Sequence, residues 1–305
     1  MPTVDLPPWM TALLLLPFGL VLGSFGNVLI HRLPLELEAD RNVVSKPSHC
    51  PHCKARIRPW HNLPLLGWLW LRGRCASCGW RIPLRYPLVE LLGGVILAGS
   101  VWVFPVGTLI WAKGVLAGFA LLVLFFTDLT AFILPDALQF PLMGLGVAFT
   151  LPQLVWPTHL TSVWGAGTTI LRVGTFFNGL QPAPAWYPLG QVEVTWSDSL
   201  LGLAIGYGVP WALNGIYRLL RKADGIGMGD FKMLAWLGAF WGWAPMLGIL
   251  FGGALLGSVA GLSLMALRKA RAQTMLPFGC ALALATPVVV GFGRPLWIAY
   301  LTMLR

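Results

Sequence analysis

The sequence predicts an all-α, multi-spanning membrane protein of about eight transmembrane helices, with a small cytoplasmic, cysteine-bearing insertion after the first helix. Three observations carry this prediction. The 305 residues are 57% hydrophobic and only 10% charged, with a mean hydropathy of +0.74, too little polar surface to coat a soluble globule of this size. Apolar stretches of the ~20 residues that a helix needs to cross the hydrocarbon recur along the chain. Seventeen of the 21 basic residues fall on one face of an eight-span arrangement, the asymmetry expected of cytoplasmic loops.

The first span is placed at 10–30. The opening Met1-Pro-Thr-Val-Asp-Leu-Pro-Pro8 lacks the basic stretch of a signal peptide, and the apolar run after it has no cleavage-site pattern, so this span is expected to be retained. Residues 31–85 then break the hydrophobic pattern and hold ten Lys and Arg residues. Spans follow at 86–104, 106–127 and 134–156. A second interruption, 157–198, is rich in Thr, Gly, Pro and Trp, with Arg172, Glu193 and Asp198 its only formal charges. It is expected outside.

The remaining spans are placed at 199–219, 231–247, 248–267 and 276–301. From Phe231 to Leu267 the only charge is Lys232. The basic clusters at 218–232 and 268–271 are expected on the same face, which divides this run into two spans near Trp241-Gly-Trp-Ala-Pro245. In domain terms, 1–30 is the first transmembrane helix, 31–85 a cytoplasmic domain and 86–305 a transmembrane core. The net charge of +10 fits this topology and an attraction to anionic lipid headgroups, not a nucleic-acid partner. The sixteen Trp residues, many at span ends, read as interfacial belts.

Cys50-Pro-His-Cys53 and Cys75-Ala-Ser-Cys78 are two C-x2-C pairs in the most basic loop of the chain. Thiolates at this spacing close a tetrahedral site, and a reducing cytoplasmic loop favours metal over disulfides. A structural zinc on Cys50, Cys53, Cys75 and Cys78 would replace the core that this stretch has too little apolar content to build; the alternatives are a redox pair or a loop without metal. His49 and His52 lie beside the first pair but four cysteines already suffice. Ser24 and Asn27 form a small polar cluster at the end of the first span, suited to bonding another helix.

Acidic residues beside the hydrocarbon are costly and mark functional candidates. Asp128 follows Ala120-Leu-Leu-Val-Leu-Phe-Phe-Thr127, Asp136 follows Leu134-Pro135, and Asp230 closes Gly225-Ile-Gly-Met-Gly-Asp230. In the eight-span arrangement all three lie at cytoplasmic helix ends. Two carboxylates about 3 Å apart share a proton, so that one deprotonates a water while the other polarises a carbonyl: peptide hydrolysis without a nucleophilic side chain. Gly225, Gly227 and Gly229 would let the backbone bend and a neighbour approach. Lys232 either supports the carboxylate or substrate, or anchors the helix at the cytoplasmic face. For Asp136, just after Pro135, capping its helix is the favoured role. The competing readings are an ion-coupled transporter, disfavoured by the lack of repeated halves, and a non-catalytic assembly factor docking through the cysteine loop.

Across nearly its whole length the sequence resembles the type IV prepilin peptidases, membrane-embedded aspartic proteases with a Gly-x-Gly-Asp motif. The resemblance rests on Gly23-Ser-Phe-Gly-Asn-Val-Leu-Ile-His-Arg-Leu-Pro34, the paired cysteines, Arg81-Ile-Pro-Leu-Arg-Tyr-Pro87 with Glu90, and Asp128 through Asp136. It continues through Asp224-Gly-Ile-Gly-Met-Gly-Asp-Phe-Lys232, Leu237-Gly-Ala-Phe-Trp-Gly242 and Leu276-Pro-Phe-Gly279. It implies a bacterial inner-membrane enzyme that cuts type IV prepilins or type II secretion pseudopilins at the cytoplasmic face, with Asp128 and Asp230 as the catalytic pair. In many members a second activity methylates the new N-terminus from S-adenosylmethionine. Two departures are visible: the 157–198 insertion is longer than the family pattern, and Asp224 stands where Glu is usual.

Overall fold

The structure, a computed structural model, describes residues 6–35, 48–104, 106–151, 194–222, 227–267 and 276–303, with side chains in the last segment described as far as Phe292. Most of the 157–198 insertion, together with Asp224 and Gly225, lies outside the described residues. The described helices are α1 (Pro8–Arg32), the short α2 (Leu66–Trp70), α3 (Arg85–Val103), α4 (Leu109–Ala131), α5 (Asp136–Ala148), α6 (Trp196–Arg221), α7 (Met228–Trp241), α8 (Trp243–Ala266) and α9 (Phe278–Met303). Among the described residues the only β pairing is two isolated bridges in the cysteine loop.

Five of these helices, α1, α3, α4, α6 and α8, are long and apolar enough to cross a membrane. The spans expected at 134–156 and 231–247 appear instead as helices of 13 and 14 residues. Hydropathy reports how apolar a stretch is, not where its helix stops. For α7 the stop is Gly242, whose φ of +84° closes one helix and opens the next, in a backbone region that side chains disfavour. The long run from Phe231 to Leu267 is thereby divided at the expected place.

The chain divides into two compact units, Met1–Thr127 and Asp128–Arg305. In the first, α1 and α3 cross with almost no side chain between them. A Cβ on Gly19 would stand 2.6 Å from the Gly93 carbonyl oxygen, and one on Gly23 would stand 2.7 Å from the Glu90 Cα. In lipid, where burial of apolar surface does not drive helices together, such small-residue contacts supply the packing. The polar cluster at the end of α1 meets α3: Asn27 Nδ2 donates to the Tyr86 carbonyl oxygen at 3.0 Å, and Ser24 bonds the Glu90 carboxylate.

In the second unit α7 is the core. Every residue from Asp230 to Trp241 except Lys232 is buried, as befits a helix apolar on all sides. Its Gly238 backbone touches that of Gly202 on α6, and Ser199 Oγ donates to the Ala239 carbonyl oxygen at 2.8 Å. Helix α6 starts on an N-cap in which Thr195 Oγ1 accepts from the Asp198 N–H at 3.1 Å and donates to its carboxylate at 2.7 Å. Helix α8 packs Gly253 against Leu282 of α9 and turns Phe251 and Leu262 outward, 73% and 65% exposed, as a lipid-facing helix does.

Candidate active site and metal centre

Asp128 occupies the last turn of α4 and is buried. Its Oδ2 accepts the backbone N–H of Cys280 at 2.9 Å, and the Gly279 N–H and the Cys280 thiol also bond the carboxylate. The first N–H groups of a helix have no partner within it, so the start of α9 presents donors to this side chain. Gly279 makes the approach possible: a Cβ there would stand 2.9 Å from Asp128 Oδ2 and 3.0 and 3.1 Å from the two Leu134 methyl groups.

Asp230, also buried, lies in the first turn of α7, its N–H donating to the Gly227 carbonyl oxygen at 3.1 Å. The carboxylate lies alongside Gly227, whose Cβ would stand 3.2 Å from Oδ2, and the place of a Gly229 side chain is taken by Leu134, 3.0 Å away. Leu134 therefore touches the start of α7 through Gly229 and the start of α9 through Gly279. Its carbonyl oxygen accepts from Gln139 Nε2 at 3.1 Å, and Gln139 is fully buried. Leu134 is thus packed between the helix start that carries Asp230 and the helix start that donates to Asp128.

Lys232 points elsewhere. Its Nζ lies 2.6 Å from Asp136 Oδ1 and 5.1 Å from the Phe140 ring centre. The capping role expected of Asp136 is corrected: the N-cap residue of α5 is Pro135, which forms no side-chain cap, and Asp136 opens the helix with its carboxylate on Lys232. Of the three expected glycines, Gly227 and Gly229 flank Asp230, while Gly225 lies outside the described residues. Gly279, Cys280, Leu134 and Gln139 were given no role from the sequence. Gly279 and Cys280 act through the backbone, Leu134 through packing and Gln139 through its side-chain amide; the stretches Asp128 through Asp136 and Leu276-Pro-Phe-Gly279 pointed to the place of Leu134 and Gly279 but to no role.

The four paired cysteines form no disulfide, and their sulfurs lie within 4.8 Å of one another. Two knuckles repeat one geometry. Cys50 N–H donates to the Ala55 carbonyl oxygen and Cys75 N–H to that of Trp80; Lys54 N–H returns to Cys50 and Gly79 N–H to Cys75. Lys54 and Gly79 both have positive φ, +59° and +69°, and bridges His49–Arg56 and Arg74–Arg81 close the two loops. The N–H groups of Cys78 and Ser77 bring the Cys75 thiol down to about 7, while its neighbour Cys78 is pushed up to about 12, as expected where adjacent thiols share one proton-poor cluster. A tetrahedral ion with bonds of ~2.3 Å needs sulfurs roughly 3.8 Å apart, within a small rotation of this cluster. The site can hold a metal ion.

Comparison with known proteins covers both sites. A family model described as the bacterial peptidase A24 N-terminal domain matches residues 17–104, which include the cysteine cluster. A model described as the type IV leader peptidase family matches residues 169–262, which include Asp230 and its glycines. A protein from Aeromonas hydrophila is 33% identical, the match covering 97% of this chain and 95% of the relative. One from Stutzerimonas stutzeri is 32% identical over 95% and 93%, and one from Dickeya chrysanthemi 34% over 91% and 90%. All three are named prepilin leader peptidase/N-methyltransferase. No solved structure matches.

Proposed function

The chain belongs to the type IV leader peptidase family, and from that premise we propose that it is a membrane aspartic endopeptidase with Asp128 and Asp230 as its acid pair. It removes the leader from type IV prepilins or type II secretion pseudopilins at the cytoplasmic face of the bacterial inner membrane, and then N-methylates the new terminus. The observation that supports the pair is that both carboxylates are buried in the second unit, Asp128 at the end of α4 held by the start of α9 and Asp230 at the start of α7, with Leu134 packed against both of those helix starts through Gly279 and Gly229.

In this reading the pair enters the reaction sharing one proton. The ionised carboxylate takes a proton from water, whose oxygen attacks the scissile carbonyl carbon. The protonated carboxyl donates to the carbonyl oxygen as negative charge grows there. The C–N bond then breaks as the nitrogen gains a proton, leaving a free amine on the mature protein and a carboxylate on the leader. The donors from α9 keep Asp128 aimed during these steps.

The thiolates of Cys50, Cys53, Cys75 and Cys78 would hold a structural zinc, which organises the loop and takes no part in hydrolysis. S-adenosylmethionine, when bound, supplies an electrophilic methyl carbon for the released amine. The basic segment 31–85 is assigned to the cytoplasm, with ordinary lipid contacts along the outward faces of the spans.

Asp128→Asn and Asp230→Asn, each purified in detergent and incubated with a prepilin, are expected to lose leader cleavage by more than about a thousandfold while still inserting and melting as the unaltered protein does. Normal turnover by either variant would show the pair to be misassigned.

A further inference from the structure

Phe132, the residue after α4, holds a backbone conformation that its side chain disfavours. Its N–H donates to the Asp128 carbonyl oxygen at 2.9 Å, closing the last turn of the helix, and its φ is +54°. Helices often stop on one left-handed residue, but glycine usually fills that place, because a Cβ there crowds the following carbonyl oxygen. A glycine would make the same turn without the strain.

The fold does not offset that strain by packing the ring, because Phe132 is 58% exposed. Lipid contact does not require it either. The outward-facing Phe251, Leu255 and Leu262 lie on the regular helix α8. Among the described residues of the second unit, the only other non-glycine residue with a positive φ is Lys222, the C-cap of α6.

The position of Phe132 supplies a reason. Asp128 lies one helical turn before it. Two residues after it, Leu134 is seated through Gly229 on the start of α7, which carries Asp230, and through Gly279 on the start of α9, which donates to Asp128. The short connector between α4 and α5 is therefore fixed on both sides of an exposed aromatic ring. Backbone strain retained in a fixed segment beside candidate reacting groups is characteristic of ligand contacts.

We propose that Phe132 is a specificity-determining residue, whose ring receives the apolar side chain next to the scissile bond on the part of the substrate that enters the membrane. A peptide bond that reaches an acid at the end of a membrane helix belongs to a chain running into lipid on one side, and such a chain is mostly apolar there. An aromatic ring gives it a large contact area. This inference rests on the reading of Asp128 and Asp230 as the hydrolytic pair.

The test varies both partners. The full chain in detergent is given a prepilin and, separately, the same prepilin with the first apolar residue after the cut replaced by alanine, and kcat and KM are measured for each. Phe132→Gly is expected to raise KM for the prepilin by about tenfold or more, with kcat changed by less than about threefold, as loss of a binding contact does. For the alanine-substituted prepilin its KM is expected to change by less than about threefold. Its thermal midpoint should equal or exceed that of the unaltered protein, since glycine relieves the backbone.

Phe132→Ala, which keeps a Cβ and so restricts the connector as phenylalanine does, is expected to show the same selectivity between the two substrates. Equal losses on both substrates would mean that the ring acts on the connector alone, and an unchanged KM that it meets only lipid or detergent; either overturns the assignment. Cleavage by the unaltered protein without this selectivity in the variants removes the role of Phe132 and leaves the endopeptidase, whereas no cleavage by the unaltered protein removes both.

Discussion

One methyl group added at Gly279 would test how tightly Asp128 is held. Alanine favours a helix over glycine by up to about 1 kcal/mol, but its Cβ would meet Asp128 Oδ2 at 2.9 Å and the Leu134 methyl groups at 3.0 and 3.1 Å. Overpacking of that kind costs about 1–3 kcal/mol, and both neighbours belong to the site. The collision wins. Gly279→Ala is expected to lower the rate of leader cleavage about a hundredfold, as displacement of a reacting group does, with a thermal midpoint lowered by a few degrees at most. Unaltered turnover would mean that Asp128 has room to move without consequence. Asp128 and Asp230 could be singled out as candidates from the sequence, because a carboxylate beside an apolar run is rare and expensive. The donor that holds Asp128 could not, because a backbone N–H has no residue type. Nor could Leu134, one leucine among many, whose importance comes from the two missing side chains it fills.

The cysteine loop is the element whose behaviour the sequence specified most fully. Two C-x2-C pairs imply one four-sulfur site, and the structure draws the sulfurs together on two knuckles of matching backbone geometry. Only the second knuckle uses glycine at its left-handed position; the first uses Lys54, a strained choice that a bound ion would help to hold. Metal analysis of the purified protein is therefore expected to give one zinc per chain. Its removal by a strong chelator should raise amide exchange throughout 48–82 while leaving exchange in α7 unchanged. Full protection of the loop without metal would contradict a structural role. Helix lengths were less legible than the loop. In α5 and α7 the apolar pattern outlasts the helix, and α7 ends at Gly242 because of a backbone angle that hydropathy does not register.

At the scale of the whole molecule the number of membrane crossings turns on α7, where charge and length disagree. A 14-residue helix is about 21 Å long, short of the roughly 30 Å of hydrocarbon. Yet Arg218, Arg221 and Lys222 precede it, and Arg268, Lys269 and Arg271 follow α8. If both clusters lie inside, α7 and α8 together must form an out-and-back pair, with α7 shielded from lipid by the protein packed on every side of it and so free of the need to span the full thickness. If α7 is not a crossing, α8 alone carries the second cluster to the outside, against the charge rule. Alkaline phosphatase inserted in frame, with the rest of the chain kept, is active only outside the cytoplasm and so reads this directly. Insertion after Gly107 is expected to give an active reporter, and insertions after Lys222 and Leu267 inactive ones. An active reporter after Leu267 would remove α7 from the spans and reduce the eight-span count, while leaving Asp230 in the first turn of its helix.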